Sequence, residues 1–394
     1  MLRFRLRNIV LLMMCLSAAA IGGCVEESAP NRDLLPVWSI TKDLEIGDAG
    51  IESTLLTRVA GLYVTPTHDI VVAQPQEYHF KVFNSSGRLI RTIGSRGQGP
   101  TEFREIVASG VLGDTLWAND LGKRMHYAVI SDAHHMSVPL VPKALPRPYV
   151  ATPVRRLAAG WSLVAASVML SSIMASGELR TAPVYLLDPN GVRADSVRNS
   201  LGEYSAFTLP NGELIYVRNP LSARASFAVA QDGQSILELE QRRPNAVATD
   251  SFAIRRYSFK GELLQSAAIP YSPIAVQPHE HAPAIEQAAK VLSREVGGLE
   301  IARRGVKESI GFPKYHLPIR QIVTSINGDV WLQRFPETEG WLVLGPDLRE
   351  QARAYFPPGF QFMAATRDFV IGTSLDAFDV PTIIRFRIQR GDVP

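Results

Sequence analysis

The stretch VFNSSGRLI at residues 82–90 contains the unit from which the fold is built: a β-prone run, a short polar turn and a second β-prone run. Turn residues between two such runs are the sequence signal of a β-hairpin. Copies of this arrangement, of which the first is the weakest, follow along the chain at residues 127–135, 184–192, 256–264 and 341–348. A hairpin that recurs in this way predicts a fold assembled from similar small sheets.

A second type of hairpin accompanies the first. Its copies lie at residues 67–72, 113–117, 160–164, 232–236, 327–331 and 366–370. Two hairpins per unit make a four-stranded antiparallel sheet, and sheets that cannot bury both faces alone pack around an axis as a propeller. The count favours six blades. A two-sheet sandwich is the main rival, but six similar units are hard to divide between two sheets.

The last unit is short of one strand. Residues 383–388 form its third strand, and the sequence ends at Pro394 without a fourth. The strand-like run at 37–46 is able to supply it, and closing the ring in this way removes a free sheet edge. We therefore predict an all-β, six-bladed β-propeller over residues 37–394, closed by its N-terminal strand.

One extra hairpin, at residues 206–218, lacks an obvious partner. It is either an elaboration of the third blade or the remnant of a seventh, so seven blades is the alternative architecture.

A helical insertion is predicted at about 278–314, between blades four and five. Within residues 283–296, apolar side chains recur at helical spacing, which gives an amphipathic helix with one apolar face. Gly297 and Gly298 end this helix, and a second helical segment follows from Leu299 to Ile310. Insertions of this kind collect on one face of a repeat protein. The insertion is therefore either part of a ligand or partner site or packing decoration.

The first residues have the pattern of an export signal. Arg3, Arg5 and Arg7 precede the uncharged apolar stretch 9–21, which is shorter than the roughly 20 residues that a membrane-spanning helix needs. The following Ile-Gly-Gly-Cys at 21–24 resembles the bacterial lipobox. That resemblance implies a signal peptide over 1–23 and diacylation of Cys24, with 24–36 as a tether; the alternative is an ordinary signal peptide in which Cys24 is incidental.

Charge and cysteine content change when this segment is removed. The chain has 41 basic and 38 acidic residues, and the three excess arginines all lie within 1–23, which contains no acid. The mature chain is therefore neutral, which argues against a nucleic-acid partner. Cys15 leaves with the signal peptide and Cys24 is predicted to carry lipid, so no cysteine is available for a disulfide, a thiol nucleophile or a cysteine-based metal site.

The stretch GSRGQGPTEF at 94–103 resembles the G-x-x-G-x-G-P-G-E-F signature of bacterial six-bladed β-propeller lipoproteins of the NHL and TolB-like superfamily. Thr101 replaces the usual glycine, and the matching positions are Gly94, Gly97, Gly99, Pro100, Glu102 and Phe103. Residues 318–332 also match the fifth-blade pattern of those proteins. The resemblance implies the fold and an envelope location but no catalytic residue. Val25 after the lipidated cysteine, by the enterobacterial sorting rule, permits export to the outer membrane or the cell surface.

Three patterns in the sequence are candidate sites. The glycine-rich loop at 94–103 lacks the following helix of a phosphate-binding loop, so it is interpreted as a tight connection. His279-Glu280-His281 resembles a metal pair, but no third ligand is fixed by spacing. Asp69, Asp120 and Asp329 are candidates for the channel of a propeller hydrolase or, more simply, turn residues that accept backbone N–H groups. We predict no metal, no cofactor and no assigned catalytic residue.

The remaining histidines give weaker signals. His68 and His79 lie near the hairpins of blade one and are candidates to face the channel, whereas His134 and His135 lie in a predicted turn.

Two functions remain open at this stage. The first is a membrane-anchored binding or scaffold module for an unidentified envelope protein or a small ligand. The second is a hydrolase or lactonase acting at the channel. Carboxylates and histidines that converge on the axis would favour the enzyme, because such chemistry needs a general base or a metal.

Overall fold

In the computed structural model of the chain, the described residues are 35–47, 54–131, 134–139, 150–167, 181–190, 192–200, 204–209, 212, 214–222, 227–244, 250–293, 296–376 and 379–390. Cys24 and the predicted signal peptide lie outside them.

The strands in the described residues, in chain order, are β1 (Val37–Ile46), β2 (Gly61–Val64), β3 (Ile70–Gln74), β4 (His79–Phe83), β5 (Leu89–Ile93), β6 (Ile106–Leu112), β7 (Thr115–Asp120), β8 (Met125–Ser131), β9 (His134–Pro139), β10 (Val150–Arg156), β11 (Ser162–Ser167), β12 (Thr181–Leu187), β13 (Arg193–Ser200), β14 (Tyr204–Thr208), β15 (Leu214–Arg218), β16 (Phe227–Val229), β17 (Ser235–Glu240), β18 (Asp250–Ser258), β19 (Leu263–Tyr271), β20 (Ile319–Thr324), β21 (Val330–Arg334), β22 (Trp341–Leu344), β23 (Glu350–Ala354), β24 (Gln361–Ala365), β25 (Phe369–Leu375) and β26 (Pro381–Gln389). The α-helices are α1 (His281–Leu292) and α2 (Leu299–Ser309), and short 3₁₀ turns lie at Pro75–Glu77, Ala158–Gly160, Pro278–Glu280 and Glu337–Glu339.

All of these strands except β14 and β15 form six four-stranded groups, and in the first five groups each strand pairs with the next one along the chain. Blades 1 to 6 are β2–β5, β6–β9, β10–β13, β16–β19, β20–β23, and β24–β26 together with β1. Both hairpin types predicted from the sequence are present in the described residues, the second type as the first hairpin of each blade. The prediction of a six-bladed β-propeller is confirmed.

The N-terminal strand closes the ring as predicted. β1 pairs antiparallel with β26, from Ser39 opposite Gln389 to Ile46 opposite Ile383. Its first two residues also pair in parallel with β23 of blade 5, which joins blades 5 and 6 into one eight-stranded sheet. Trp38 is 5 % exposed and packs edge-on against Trp331, with the ring centroids 5.8 Å apart.

The apolar core lies between neighbouring blades. One cluster joins blades 5 and 6 around Trp331 and Phe362, and another joins blades 6 and 1 around Ile383 and Phe83. A middle strand is covered on both faces by adjacent blades, so its sequence is continuously apolar instead of alternating. Trp341–Leu344 is such a strand, and all four of its residues are buried.

The extra hairpin β14–β15 is not a blade. In the described residues its two strands pair only with each other. Ile215 and Val217 pack with Ala289, Leu292 and Val306 of the two helices in one apolar cluster. We call β14–β15, α1 and α2 together the cap. The seven-blade alternative is therefore wrong, and the contact between the hairpin and the helices was not predicted.

Both parts of the cap belong to the same face of the ring. The hairpin lies between the outer strand β13 and the inner strand β16, and the helices lie between the outer strand β19 and the inner strand β20. All outer-to-inner connections of a propeller emerge on one face, because its blades repeat the same strand directions around the axis. The predicted insertion thus exists, with its first helix beginning and ending slightly earlier than expected.

Candidate functional site

The inner strands of the six blades surround a cavity of about 370 Å³. Every blade contributes to its wall, which consists of residues 60–64, 111, 155, 227–229, 231, 321–324, 362 and 363. Pockets that take small molecules span about 300–1,000 Å³ and are mostly apolar with a few placed polar groups. The central channel thus has the size and the mixed lining of a small-molecule site.

Five side chains give the cavity its polarity: Tyr63, Arg155, Gln231, Gln321 and Thr324. Two of them follow irregularities in their strands. The pairing of β10 shifts between Pro153 and Arg155, and that of β20 shifts between Ile319 and Gln321. A β-bulge inserts one residue and turns the next side chain toward the opposite face. These irregularities account for the position of Arg155 and Gln321 at the cavity wall.

Hydrogen bonds link these side chains to the neighbouring blades. The Tyr63 hydroxyl donates to the Ser109 carbonyl of blade 2 at 2.8 Å. Gln321 Nε2 donates to the Phe362 carbonyl of blade 6 at 3.2 Å. Thr324 Oγ1 donates to the Val229 carbonyl of blade 4 at 2.9 Å. The polar groups are therefore held in place by the ring itself.

The electrostatics of the cavity are set by Arg155 and Tyr63. Burial raises the pKa of Tyr63 and outweighs the lowering effects of Arg155 and of the Ser109 hydrogen bond, so the phenol is neutral near pH 7. Burial lowers the pKa of Arg155, but a guanidinium stays charged in proteins. Arg155 is the only charged residue among the described residues of the wall.

The three aspartates proposed for the channel lie elsewhere. The Asp120 carboxylate accepts the backbone N–H groups of Arg104, Glu105 and Lys123 at 2.8, 3.0 and 3.1 Å. It thereby fastens the blade 1–2 connection to β7.

Asp329 accepts hydrogen bonds from Asn327 at 2.6 Å and Arg390 at 3.1 Å. Asp69 accepts from the Thr67 hydroxyl in the first turn of blade 1. The contacts of Asp120 match the interpretation as a turn residue that accepts backbone N–H groups, whereas Asp69 and Asp329 accept from side chains. None of the three lines the cavity.

The signature loop 94–103 is a closed connection between blades 1 and 2. The Gly97 N–H donates to the Phe103 carbonyl at 3.1 Å, and the Gly99 N–H donates to the Glu102 carboxylate at 2.6 Å. Phe103 is 1 % exposed and packs edge-on against Phe80 at 5.8 Å. Since both amides are already bonded within the loop, they are not presented to a phosphate.

The His-Glu-His run does not form a metal pair. Glu280 accepts the Gln277 N–H at 2.7 Å and lies 3.1 Å from Nε2 of the buried His316. The ring of His281 stacks on Phe312 at 3.9 Å. Within the part of the chain that the structure describes, no group of three or more histidine, cysteine or acidic side chains is placed to hold a metal. The contact between Glu280 and His316 was not predicted from the sequence, because the two residues are 36 positions apart.

His68 and His79 are not among the described residues of the cavity wall. His68 packs edge-on against Phe369, with ring centroids 5.6 Å apart, and His79 Nε2 lies 3.3 Å from Gln74 Oε1. His134 and His135 begin strand β9 instead of lying in a turn, and their side chains lie outside the described residues.

Six four-stranded blades around a channel of this size make the chain a six-bladed β-propeller. No family model matches the chain, and no curated protein matches its sequence. No helix in the described residues is long and apolar enough to cross a membrane.

Solved structures similar to the chain share little sequence with it. A candidate exported protein from Bacteroides fragilis has 12% identity and a TM-score of 0.44, covering 89% of this chain and 95% of that one. A gluconolactonase from Xanthomonas campestris has 12% identity and a TM-score of 0.39, covering 84% and 86%. Virginiamycin B lyase from Staphylococcus aureus has 8% identity and a TM-score of 0.38, covering 89% and 99%. The fold assignment rests on the strand order, and these similarities carry no activity to this chain.

Proposed function

We propose that the chain is a lipid-anchored envelope protein that binds a small ligand in the channel of its propeller. The observation that carries this proposal is the composition of the cavity wall. It combines one guanidinium, a neutral phenol, two amides and a hydroxyl with apolar side chains. That combination is typical of a recognition site, in which apolar contacts supply affinity and a few polar groups fix orientation.

The same wall argues against the hydrolase or lactonase alternative. Hydrolysis at a channel needs a general base or a metal-bound water. No carboxylate or histidine is among the described residues of the cavity wall. Asp120 and Asp329 are instead bonded to backbone and side-chain groups of their own connections. Binding without chemistry is the simpler function for these residues.

The envelope location is proposed from the sequence. The charged start, the apolar stretch 9–21 and the lipobox-like residues 21–24 support export and acylation of Cys24. We place the protein at the periplasmic face of the outer membrane or at the cell surface, in keeping with Val25. The cap offers a second surface, on one face of the ring, for an unidentified envelope protein. The resemblance of the loop at 94–103 to propeller lipoproteins agrees with this location.

Anchoring is tested with the two cysteines of the chain. We expect Cys24→Ala to abolish labelling by a palmitate analogue in cells and to lose the acylated form from the membrane fraction. Cys15→Ala is the matched control, because Cys15 lies in the segment predicted to be removed. Equal labelling of the two variants would contradict the assignment of Cys24.

Ligand binding in the channel is tested by filling it. Ala228 lines the cavity, so Ala228→Trp is expected to abolish the rise in Tm that a metabolite library produces in the detergent-solubilised protein. Val291→Trp is the control, because Val291 is 74% exposed on α1. Hits that stabilise the wild type and Ala228→Trp equally would show that binding occurs outside the channel.

A further inference from the structure

Arg155 supplies the charge of the described channel wall. Other arginines of the ring have carboxylate partners: Arg385 lies 2.9 Å from Asp43, and Arg390 lies 3.1 Å from Asp329. In the described residues no such ion pair is formed by Arg155. A desolvated cation without a counter-charge costs free energy, and such costs are tolerated mainly where function requires them.

The surroundings of Arg155 define what neutralises it. Tyr63 and Gln321 line the same cavity and supply neutral hydrogen-bonding groups, while Phe227 and Ile322 supply apolar surface. Arg155 and Tyr63 interact electrostatically: the charge of Arg155 opposes, without outweighing, the rise that burial causes in the pKa of Tyr63. A ligand that suits this wall has one anionic end and one hydrocarbon end.

We infer that the channel binds a small organic carboxylate, whose anionic group pairs with the guanidinium of Arg155. The inference rests on the proposed function and adds the chemical class of the ligand. The planar guanidinium offers two parallel N–H donors that match a carboxylate. The Tyr63 hydroxyl lies at the same end of the ligand, and the hydrocarbon part contacts Phe227.

A carboxylate is favoured over a phosphate monoester by charge balance. A phosphate monoester carries a charge of about −1.5 to −2 at neutral pH. The described wall supplies one positive charge, so part of a phosphate charge would stay uncompensated in a partly desolvated site. A carboxylate and one guanidinium neutralise each other.

The test compares three probes of similar size by calorimetry on the detergent-solubilised protein: 3-phenylpropionate, its neutral amide 3-phenylpropanamide, and phenyl phosphate. We expect 3-phenylpropionate to bind most tightly. Arg155→Gln should weaken its binding by about tenfold to a hundredfold, the range of one lost hydrogen bond to a charged group. The weaker binding of the amide should not change.

Arg156→Gln is the matched control. Arg156 is the next residue of β10, donates to the Gly160 carbonyl at 3.1 Å and is not among the lining residues. This variant should bind 3-phenylpropionate as the wild type does. Arg155→Lys should give intermediate affinity, because it keeps the charge but loses the two-donor geometry.

Thermal unfolding separates binding from structure. If Arg155 serves ligand binding and not folding, the Tm of Arg155→Gln without ligand should be at least as high as the Tm of the wild type without ligand. If Arg155→Gln does not fold, weaker binding of 3-phenylpropionate but not of the amide by Arg155→Lys supports the same conclusion. Unchanged affinity of Arg155→Gln for 3-phenylpropionate would overturn the carboxylate site, as would equal wild-type affinities for the acid and the amide. The Ala228→Trp test does not depend on the charge of the ligand. If a neutral ligand binds the wild type but not Ala228→Trp, the proposed binding function stands even though the carboxylate proposal fails.

Discussion

Tyr271 ends the outer strand of blade 4 opposite Asp250, and it is 5% exposed. Burial is the first cause of its shifted pKa, and the charge of Asp250 adds to it, against a smaller lowering effect of Arg242. Together they raise the pKa of Tyr271 from 10.0 to about 12. The folded protein therefore holds this proton more tightly than the unfolded chain does.

The shift predicts a specific loss of stability in alkali. Because the folded pKa is the higher one, the contribution of Tyr271 is fully present below pH 10 and is lost as the pH rises toward 12. We expect urea unfolding to show a shallower decline over this range in Tyr271→Phe than in the wild type. Tyr355→Phe, at a residue 43% exposed, should decline as the wild type does. Parallel curves for the wild type and Tyr271→Phe would contradict the assignment.

The residues of the channel were beyond prediction from the sequence for a geometric reason. Because side chains alternate along a strand, Arg155 and Arg156 are expected to point to opposite faces. The alternation does not determine which of the two faces the axis. The pairing shift between Pro153 and Arg155 changes that parity, and a one-residue change of register exchanges the two faces. Asp120 shows the converse. The sequence indicated a turn residue there, but two of its three backbone N–H donors, Arg104 and Glu105, lie 16 and 15 residues away.

At the scale of elements, the blade 1–2 connection depends on a glycine at position 94. Gly94 has φ of +95°, and a Cβ there would lie 2.5 Å from the Phe103 ring and 2.9 Å from the Tyr78 carbonyl oxygen. The left-handed backbone and the close approach both require the missing side chain. This requirement explains structurally why the signature loop begins with a glycine, Gly94.

Gly94→Ala is therefore expected to destabilise the protein by more than the backbone conformation alone explains. Gly113→Ala is the matched control, because Gly113 also has positive φ but nothing lies within 4 Å of an added Cβ. Positive φ costs roughly 1–2 kcal/mol in both variants, and the clash adds about 1–3 kcal/mol in Gly94→Ala. Denaturant unfolding measures the difference. Equal losses in the two variants would show that the connection yields without cost.

The hairpins were predictable because their signals are local. A polar turn between two β-prone runs is complete within about nine residues, as in 82–90, and the structure places a hairpin there. The cap was not predictable from the sequence, because its apolar cluster brings together Val217 and Val306, which are far apart in the chain. The helical pattern predicted an apolar face on the insertion but not the hairpin that covers it.

For the whole molecule, ring closure depends on β1. Trp38 and Ile46 are 5% and 3% exposed, and they belong to the two core layers on either side of blade 6. Removing a buried Trp and a buried Ile costs about 3–5 and 2–5 kcal/mol. That sum approaches the roughly 5–15 kcal/mol by which a domain is stable.

A chain that begins at residue 48 should therefore fail to give the cooperative thermal transition shown by a chain that begins at residue 35. The longer chain is the control, because it retains β1 but lacks the tether. Supplying residues 36–47 as a separate peptide should restore part of the transition. The proposal of closure by β1 would be wrong if both chains melted at the same temperature.

The closing strand also imposes an order on biosynthesis. Ser39 and Gln389, bonded side chain to side chain across the seam, are 350 positions apart. Ribosomes synthesise β1 before β26, so β1 has no antiparallel partner until β26 has emerged. Contacts between residues so far apart in sequence form slowly, and until they form the unpaired strand edge is open to pairing with other chains. A chain that lacks β26 cannot form this pairing, so closure of the ring requires that synthesis has passed β26.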